Sequence, residues 1–319
     1  MRYSRSYQSL LIGLFACLPF FVAGQALHKV RYEFEHPQMG TTIRLVFYAG
    51  DSLAARKTAD EVFALTDRLN LCFSDYLPQS EVSLLSEQAG SGAYVPASKD
   101  LWKLLKTAQR FSKNSSGMFD VSIGPLTRLW RRSRNLQVVP DSGRVFEACI
   151  LVDYREINMR NLGKKVRLNE YGMQLDFGGI AQGYTADACL RLLRKRGYPQ
   201  AMVDVGGDIA IGAAPPGQAG WQIQIPGQAE PLHLRSCGIT TSGATYQFFE
   251  AEDGTRYSHI LDLRTCWGVT HQFLVTVLAK NATEADALAT TYNVLGPNAP
   301  KIKIRNHRVW FAQDEKKQE

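Results

Sequence analysis

Residues 175–212 read LDFGGIAQGYTADACLRLLRKRGYPQAMVDVGGDIAIG. The stretch opens on a short apolar strand that turns at Gly178-Gly179. A helical pattern follows from about Ile180 to Arg196. Gly197 stops it, because glycine takes a left-handed conformation past a helix end without a Cβ penalty. Residues 201–205 form a second buried strand, which ends on a second pair, Gly206-Gly207. Taken alone, this is half of a nucleotide-binding α/β unit. Backbone N–H groups at a turn that opens a helix favour an anion such as a phosphate. Two carboxylates, Asp176 and Asp208, stand beside the glycines. The same glycines also serve plain close packing of a helix on a strand.

The chain has 319 residues, of which 45% are hydrophobic and 21% charged. Such a chain supports a sizeable core in one large domain or two fused halves, and wholesale disorder is excluded. The formal net charge is +7, and loss of Arg2 and Arg5 with a targeting segment leaves +5. The basic residues are scattered, as on a solvated surface, so no nucleic acid is expected as partner. The N-terminus has a basic start and an apolar run over residues 10–23. That run falls short of the roughly 20 residues of a transmembrane helix. Residues 1–24 therefore read as a secretory signal. Cys17, after Leu14-Phe15-Ala16, loosely resembles a lipoprotein signal, and a retained N-terminal anchor is a third option. None of the six cysteines forms a CxxC or a zinc-like spacing with histidine. Cys17 leaves with the signal, so five remain. One bridge is compatible with that number, and its partners are not legible.

Along the chain, residues 30–48 read as a strand pair broken at residues 36–41. Asp51 or Ser52, Ser80 or Glu81, Ser98, and Asn281 or Thr283 mark helix starts. Asp253-Gly254 is a hairpin turn between Phe249 and Tyr257, and residues 273–279 are a strongly apolar strand. Residues 130–153 are basic and poorly periodic, an excursion from the core, and residues 314–319 are a solvated tail. Residues 25–313 then form one domain.

Several constellations have a chemical use. Asp286 and Thr290 are four apart on a predicted helix and share a face, an oxygen pair suited to Mg²⁺. The bland alternative is a polar face turned to solvent. His259 lies near a strand end, with Asp262 and Arg264 close behind: a general base and a phosphate binder, or a structural strand histidine. Tyr76, on a loop before Pro78, suits stacking on a planar ring or packing on its own domain. Phe119-Asp120 before Gly124-Pro125 has the same split reading.

The order of these motifs resembles the FAD:protein FMN transferase family, the ApbE-like flavin transferases. The resemblance rests on Met39-Gly40-Thr41, residues 73–81, Gly117-Met118-Phe119-Asp120 with Gly124-Pro125-Leu126, and residues 176–187. It continues through Val205-Gly206-Gly207-Asp208, Thr241-Ser242-Gly243, residues 258–265 and residues 285–290. It implies an α+β fold with a mixed or antiparallel sheet core and flanking helices, a T-fold-related architecture, and so replaces the α/β impression. It implies transfer of FMN from FAD to a threonine of an acceptor protein, with Mg²⁺ present and AMP released. By resemblance, Met39, Tyr76, Met118, Phe119, Asp120, Asp176, Gln182 and Ile260 line the FAD site. Gly179, Asp286 and Thr290 hold Mg²⁺, and His259 is the base. The implied acceptor is an electron-transfer subunit of a membrane redox complex or an exported protein with an FMN-binding domain. The implied place is the periplasm or the outer face of the inner membrane, with lipid anchoring as a variant. Three departures stand out: Gln182 where many members have Lys, Leu263 where proline is usual, and Cys266 where glycine is usual. They keep a non-catalytic FAD-binding protein open as an alternative. An FAD pyrophosphatase is a separate alternative, against which the ring-stacking Tyr76 counts, since in the resembled family such a tyrosine goes with transfer. Ser242-Gly243-Ala244-Thr245 also faintly resembles a flavinylation acceptor sequence.

Overall fold

The computed structural model describes residues 29–243, 248–298 and 302–313. The signal or lipoprotein reading of residues 1–24, the acceptor-like Thr245 and the tail at 314–319 lie outside them.

Seven strands form one sheet, in the order Val30–Gln38, Thr41–Ala49, Ala201–Val205, Asp208–Ile211, Cys237–Gly243, Phe273–Ala279 and Arg308–Gln313. Every neighbouring pair is antiparallel. The α+β expectation is met, and the reason lies at Gly206-Gly207. Both residues have positive φ, +66° and +98°. Such a pair closes a two-residue hairpin whose twist matches antiparallel strands. Val205 thus pairs with Asp208 across the turn, and the second Gly-Gly pair is a hairpin tip with no helix behind it. The first pair does open a helix. What precedes it is not a strand: residues 173–178 make one isolated parallel bridge, Ile123 with Gln174.

Seven helices are described: α1 (Ser52–Phe73), α2 (Glu81–Glu87), α3 (Lys99–Asn114), α4 (Gly124–Leu136), α5 (Ser142–Cys149), α6 (Ala181–Lys195) and α7 (Ala282–Leu295). Local chemistry sets most of their starts. Asp51, Ser80, Ser98 and Asn281 each accept a backbone N–H from the first turn that follows. α6 and α7 pack on each other and on the sheet, and α1 packs on α6. One core cluster joins Ile43, Leu45, Phe47 and Val203 of the sheet to Ala59 and Val62 of α1 and Cys189 and Leu193 of α6. The largest cluster continues through α3 and α7 to Val275 and Val277. Val46, Ile211 and Ile239, on the sheet, cluster with Trp221 and Ile225. Trp221 belongs to the small hairpin of Trp221–Ile223 with Leu232–Leu234.

Residues 130–153, read as an irregular excursion, are mostly helical, in α4 and α5. They carry a separate core of Leu126, Trp130, Val145, Phe249, Leu261 and Cys266. Cys149, at the end of α5, is disulfide-bonded to Cys266, 117 residues away. Among the described residues no helix is long and apolar enough to cross a membrane.

Candidate active site

The start of α6 crosses α7 at two glycines. A Cβ on Gly183 would lie 2.4 Å from Ala282 O and 2.8 Å from Asp286 Cβ, so the approach requires glycine. A Cβ on Gly179 would lie 2.9 Å from Thr290 Oγ1. Asp286 and Thr290 therefore both face the beginning of α6, as the four-residue spacing predicts. The Gly183 amide donates to Asp286 Oδ2 at 3.0 Å. Asp187, on α6, fixes this crossing. Its carboxylate accepts from Ala282 N at 3.1 Å, Thr283 N at 2.9 Å and Thr283 Oγ1 at 2.5 Å, which caps α7 from outside.

Three buried carboxyls, Asp187, Asp208 and Asp286, crowd this corner. Burial, then the charges of Asp208 and Asp187, hold the Asp286 carboxyl well above the usual range. Asp208 is pushed up to about 7 by burial, with Asp204 and Asp187 adding to it, although Thr240 Oγ1 donates to it at 2.7 Å. A divalent cation bound beside Asp286 would offset the charge of the ionised carboxylates. Among the described residues no three His, Cys, Asp or Glu side chains converge on a metal position. The donors at this crossing are instead one carboxylate, one hydroxyl and the Gly179 backbone. An oxygen set with few protein ligands fits Mg²⁺, which keeps waters and phosphate oxygens.

A second arrangement adjoins it through residues 176–183. Asp176 is buried; its Oδ1 accepts from Gly178 N at 2.7 Å and its amide donates to Val121 O at 2.8 Å. Its Oδ2 accepts from Arg131 of α4 at 2.8 Å. The same guanidinium donates to Asp75 Oδ2 and lies 4.0 Å from the centre of the Tyr76 ring. Tyr76 remains 67% exposed, so a large part of its ring is open to a ligand. Burial and the charge of Asp176 raise the Asp75 carboxyl, and the Arg131 hydrogen bond opposes them.

The remaining expected FAD-site residues divide. Met39 takes positive φ, +55°, at the first hairpin, and Gln182 Nε2 lies 3.5 Å from its carbonyl, so these two meet. Phe119 is buried edge-on against Phe111. Asp120 accepts from Ser122 N, Ser122 Oγ and Tyr154 N at 2.7–2.8 Å, which organises its own turn. Met118 is half-buried, its amide bonded to Ser115 O at 3.2 Å. The side chains of Phe119 and Asp120 are thus committed to the protein, and their segment meets Asp176 by backbone.

His259 is exposed, with Ser258 Oγ 3.5 Å from its Nδ1. It lies between two hairpins, Phe248–Glu250 with Arg256–Ser258 and Leu261–Asp262 with Trp267–Gly268, and this segment approaches α7 through Ile260 and Val269 against Val294, one turn past Thr290. Arg264, a phosphate-binder candidate, forms a fork on Asp262 at 2.7–3.1 Å. Cys266 takes φ +63°, the left-handed conformation that the family's glycine would supply. Its carbonyl accepts from Trp130 Nε1 at 3.1 Å and its sulfur is bonded to Cys149. That departure therefore preserves a glycine-like turn.

Arg131 and Asp75 carry no assigned role in the sequence, and the one bridge its cysteines allow has no partners legible there. Arg131 stands among four other arginines of α4 and α5, and its partners are 45 and 56 residues away. No local pattern separates it from its neighbours.

The family model described as the ApbE family matches residues 39–309. A Treponema pallidum protein named FAD:protein FMN transferase is 35% identical over 280 residues, which cover 81% of this chain and 77% of that protein. A Klebsiella pneumoniae protein of the same name is 28% identical over 267 residues, 83% of each chain. The structure of the flavin transferase ApbE from Vibrio cholerae matches with a TM-score of 0.75 at 25% identity, covering 85% of this chain and 89% of that one. The apo form of the Pseudomonas stutzeri flavinyl transferase ApbE gives 0.75 at 29% identity, covering 85% and 86%. With the fold, the motif order and most of its length matched, the chain belongs to the ApbE family.

Proposed function

We propose that this protein transfers FMN from FAD to a threonine hydroxyl of an acceptor protein, with Mg²⁺ bound and AMP released. The observation that carries the reading is the oxygen corner of Gly179, Asp286 and Thr290, with the buried Asp286 carboxyl beside two half-buried residues. It is joined through residues 176–183 to the Arg131-backed Tyr76 ring. The names of the curated relatives, FAD:protein FMN transferase, support it.

Asp286, Thr290 and the Gly179 carbonyl hold the cation. When bound, Mg²⁺ supplies positive charge against the pyrophosphate oxygens. Tyr76 offers its exposed ring to the flavin, and Asp176 with its Gly178 contact shapes the floor of that site. The acceptor threonine oxygen bonds to the phosphorus on the FMN side while the bond from that phosphorus to the bridging oxygen breaks. AMP leaves with the bridging oxygen. The threonine proton goes to His259, an imidazole suited to general base work near neutral pH. Gln182 holds Met39 by its amide and adds no charge beside the ligand.

The acceptor is an electron-transfer subunit of a membrane redox complex or an exported protein with an FMN-binding domain. The place is the periplasm or the outer face of the inner membrane, reached by the segment at residues 1–24, with lipidation at Cys17 as a variant. The Cys149–Cys266 bridge supports this, because disulfides persist in oxidising compartments.

The test follows AMP formation from FAD with and without an acceptor, in Mg²⁺ and in chelator. Acceptor-dependent AMP that chelator abolishes is expected. AMP formed equally fast without acceptor would make the protein a pyrophosphatase. FAD binding without metal-dependent AMP would leave a non-catalytic flavin binder.

A further inference from the structure

In the proposed site the Tyr76 ring meets the flavin, and something must hold that ring in place. Tyr76 lies in the short loop between α1 and α2, residues 74–80, and is 67% exposed. A tyrosine on such a loop has many positions unless something fixes it, and each one lost on binding weakens the ligand. Arg131 is the fixing element. Its side chain is only 22% exposed, and it comes from a helix with its own packed core. Its two amino groups are divided between Asp75, the residue before Tyr76, and Asp176, on the floor of the site. Its guanidinium carbon lies over the Tyr76 ring, 4.0 Å from the centroid. One planar cation thus joins the loop, the floor and the ring. Lysine, a point charge on a flexible stem, cannot reproduce all three contacts.

The charge balance gives the same assignment. Asp75 and Asp176 are 11% and 6% exposed and share this one guanidinium. Without it, two largely buried carboxylates repel each other and the loop that carries Asp75 is pushed from the floor.

We propose that Arg131 is a positioning residue for the flavin. It backs one face of Tyr76 and ties its loop to Asp176, so that the opposite face meets the isoalloxazine already oriented. α4, part of the basic excursion, thereby has a function in the site. The proposal rests on the reading that Tyr76 stacks on the flavin of FAD.

The test is a double-mutant cycle on the full mature chain. FAD affinity and the quenching of flavin fluorescence at saturation are measured for wild type, Arg131→Met, Tyr76→Ala and the double variant. Arg131→Met is expected to weaken FAD about tenfold and to reduce quenching. In the Tyr76→Ala background it should weaken FAD less than about twofold, because its effect passes through the ring. Arg131→Lys falls between wild type and Arg131→Met, and Asp75→Asn added to Arg131→Met recovers part of the loss. Equal fold-losses in both backgrounds, or wild-type affinity and quenching in Arg131→Met, would overturn the proposal. Hydrogen exchange of residues 74–80 without FAD is the arm independent of ligand: Arg131→Met should speed it, and unchanged exchange counts against the proposal. A wild-type protein that binds no FAD but shows this exchange difference would sink the flavin reading and leave Arg131 fixing the loop.

Discussion

At the scale of single residues, the site depends on places where a side chain is forbidden and on charges that burial makes costly. Gly179 shows the first. Its missing Cβ would sit 2.9 Å from the Thr290 hydroxyl, so Gly179→Ala should displace a proposed metal ligand. Melting should report a loss of about 1–3 kcal/mol, and Mg²⁺ titration a weaker cation. Unchanged Mg²⁺ affinity would mean that Thr290 is not a ligand. Asp208 shows the second. Folding raises its carboxyl to about 7, through burial first, whereas the unfolded chain titrates near 4. Between those values the folded protein keeps a proton that the unfolded chain has lost, so stability falls as pH rises through that window. Metal-free Asp208→Asn should therefore gain in Tm over wild type at about pH 7.5 and gain little at about pH 5. Mg²⁺ should stabilise wild type more at the higher pH. Equal gains at both pH values would contradict the assignment. Spacing put Asp286 and Thr290 on one helix face, a local property, and the family resemblance gave them the metal. Neither accounts for Asp187 or Arg131, whose partners come from elsewhere in the chain.

At the scale of elements, four of the helices announce themselves by a local cap. Asp51, Ser80, Ser98 and Asn281 each stand just before a helix and bond to its first turn. α4 was hidden for the opposite reason. Ile123, which precedes it, offers no side-chain cap, and the helix's buried apolar side chains are only Leu126 and Trp130 among arginines. The Gly206-Gly207 pair misled on the bare pattern, because a hairpin tip and a phosphate-binding turn both use glycine at positive φ. α7 has a second, long-range cap. Asp187 reaches it from α6 and bonds to two amides and a hydroxyl at its start. Asp187→Ala should leave those donors unsatisfied and cost about 2–3 kcal/mol in chemical denaturation. It should also weaken Mg²⁺, since the α6–α7 crossing positions Asp286. A loss below about 0.5 kcal/mol would show that solvent replaces the cap.

At the scale of the whole molecule, a seven-stranded antiparallel sheet and α6 and α7 build the metal corner, while α4, α5 and the hairpins near His259 form a smaller body with its own core. The disulfide ties this second body together, from the end of α5 to the turn after Asp262. Closing a loop of 117 residues contributes about 2–4 kcal/mol in typical cases. Cys149→Ser with Cys266→Ser should lower Tm, and replacing Cys266 by Gly instead of Ser should recover part of the loss, because the position has φ +63°. If the Gly variant melts no higher than the Ser variant, the turn is not held in that conformation. The central claim is covalent flavin transfer, and intact mass spectrometry of an acceptor protein after incubation with this protein, FAD and Mg²⁺ tests it most directly. The account predicts that the acceptor gains the mass of one FMN on a threonine, and that Asp286→Ala abolishes the gain. An acceptor of unchanged mass across several flavinylatable acceptors, with FAD bound and Mg²⁺ present, would contradict it.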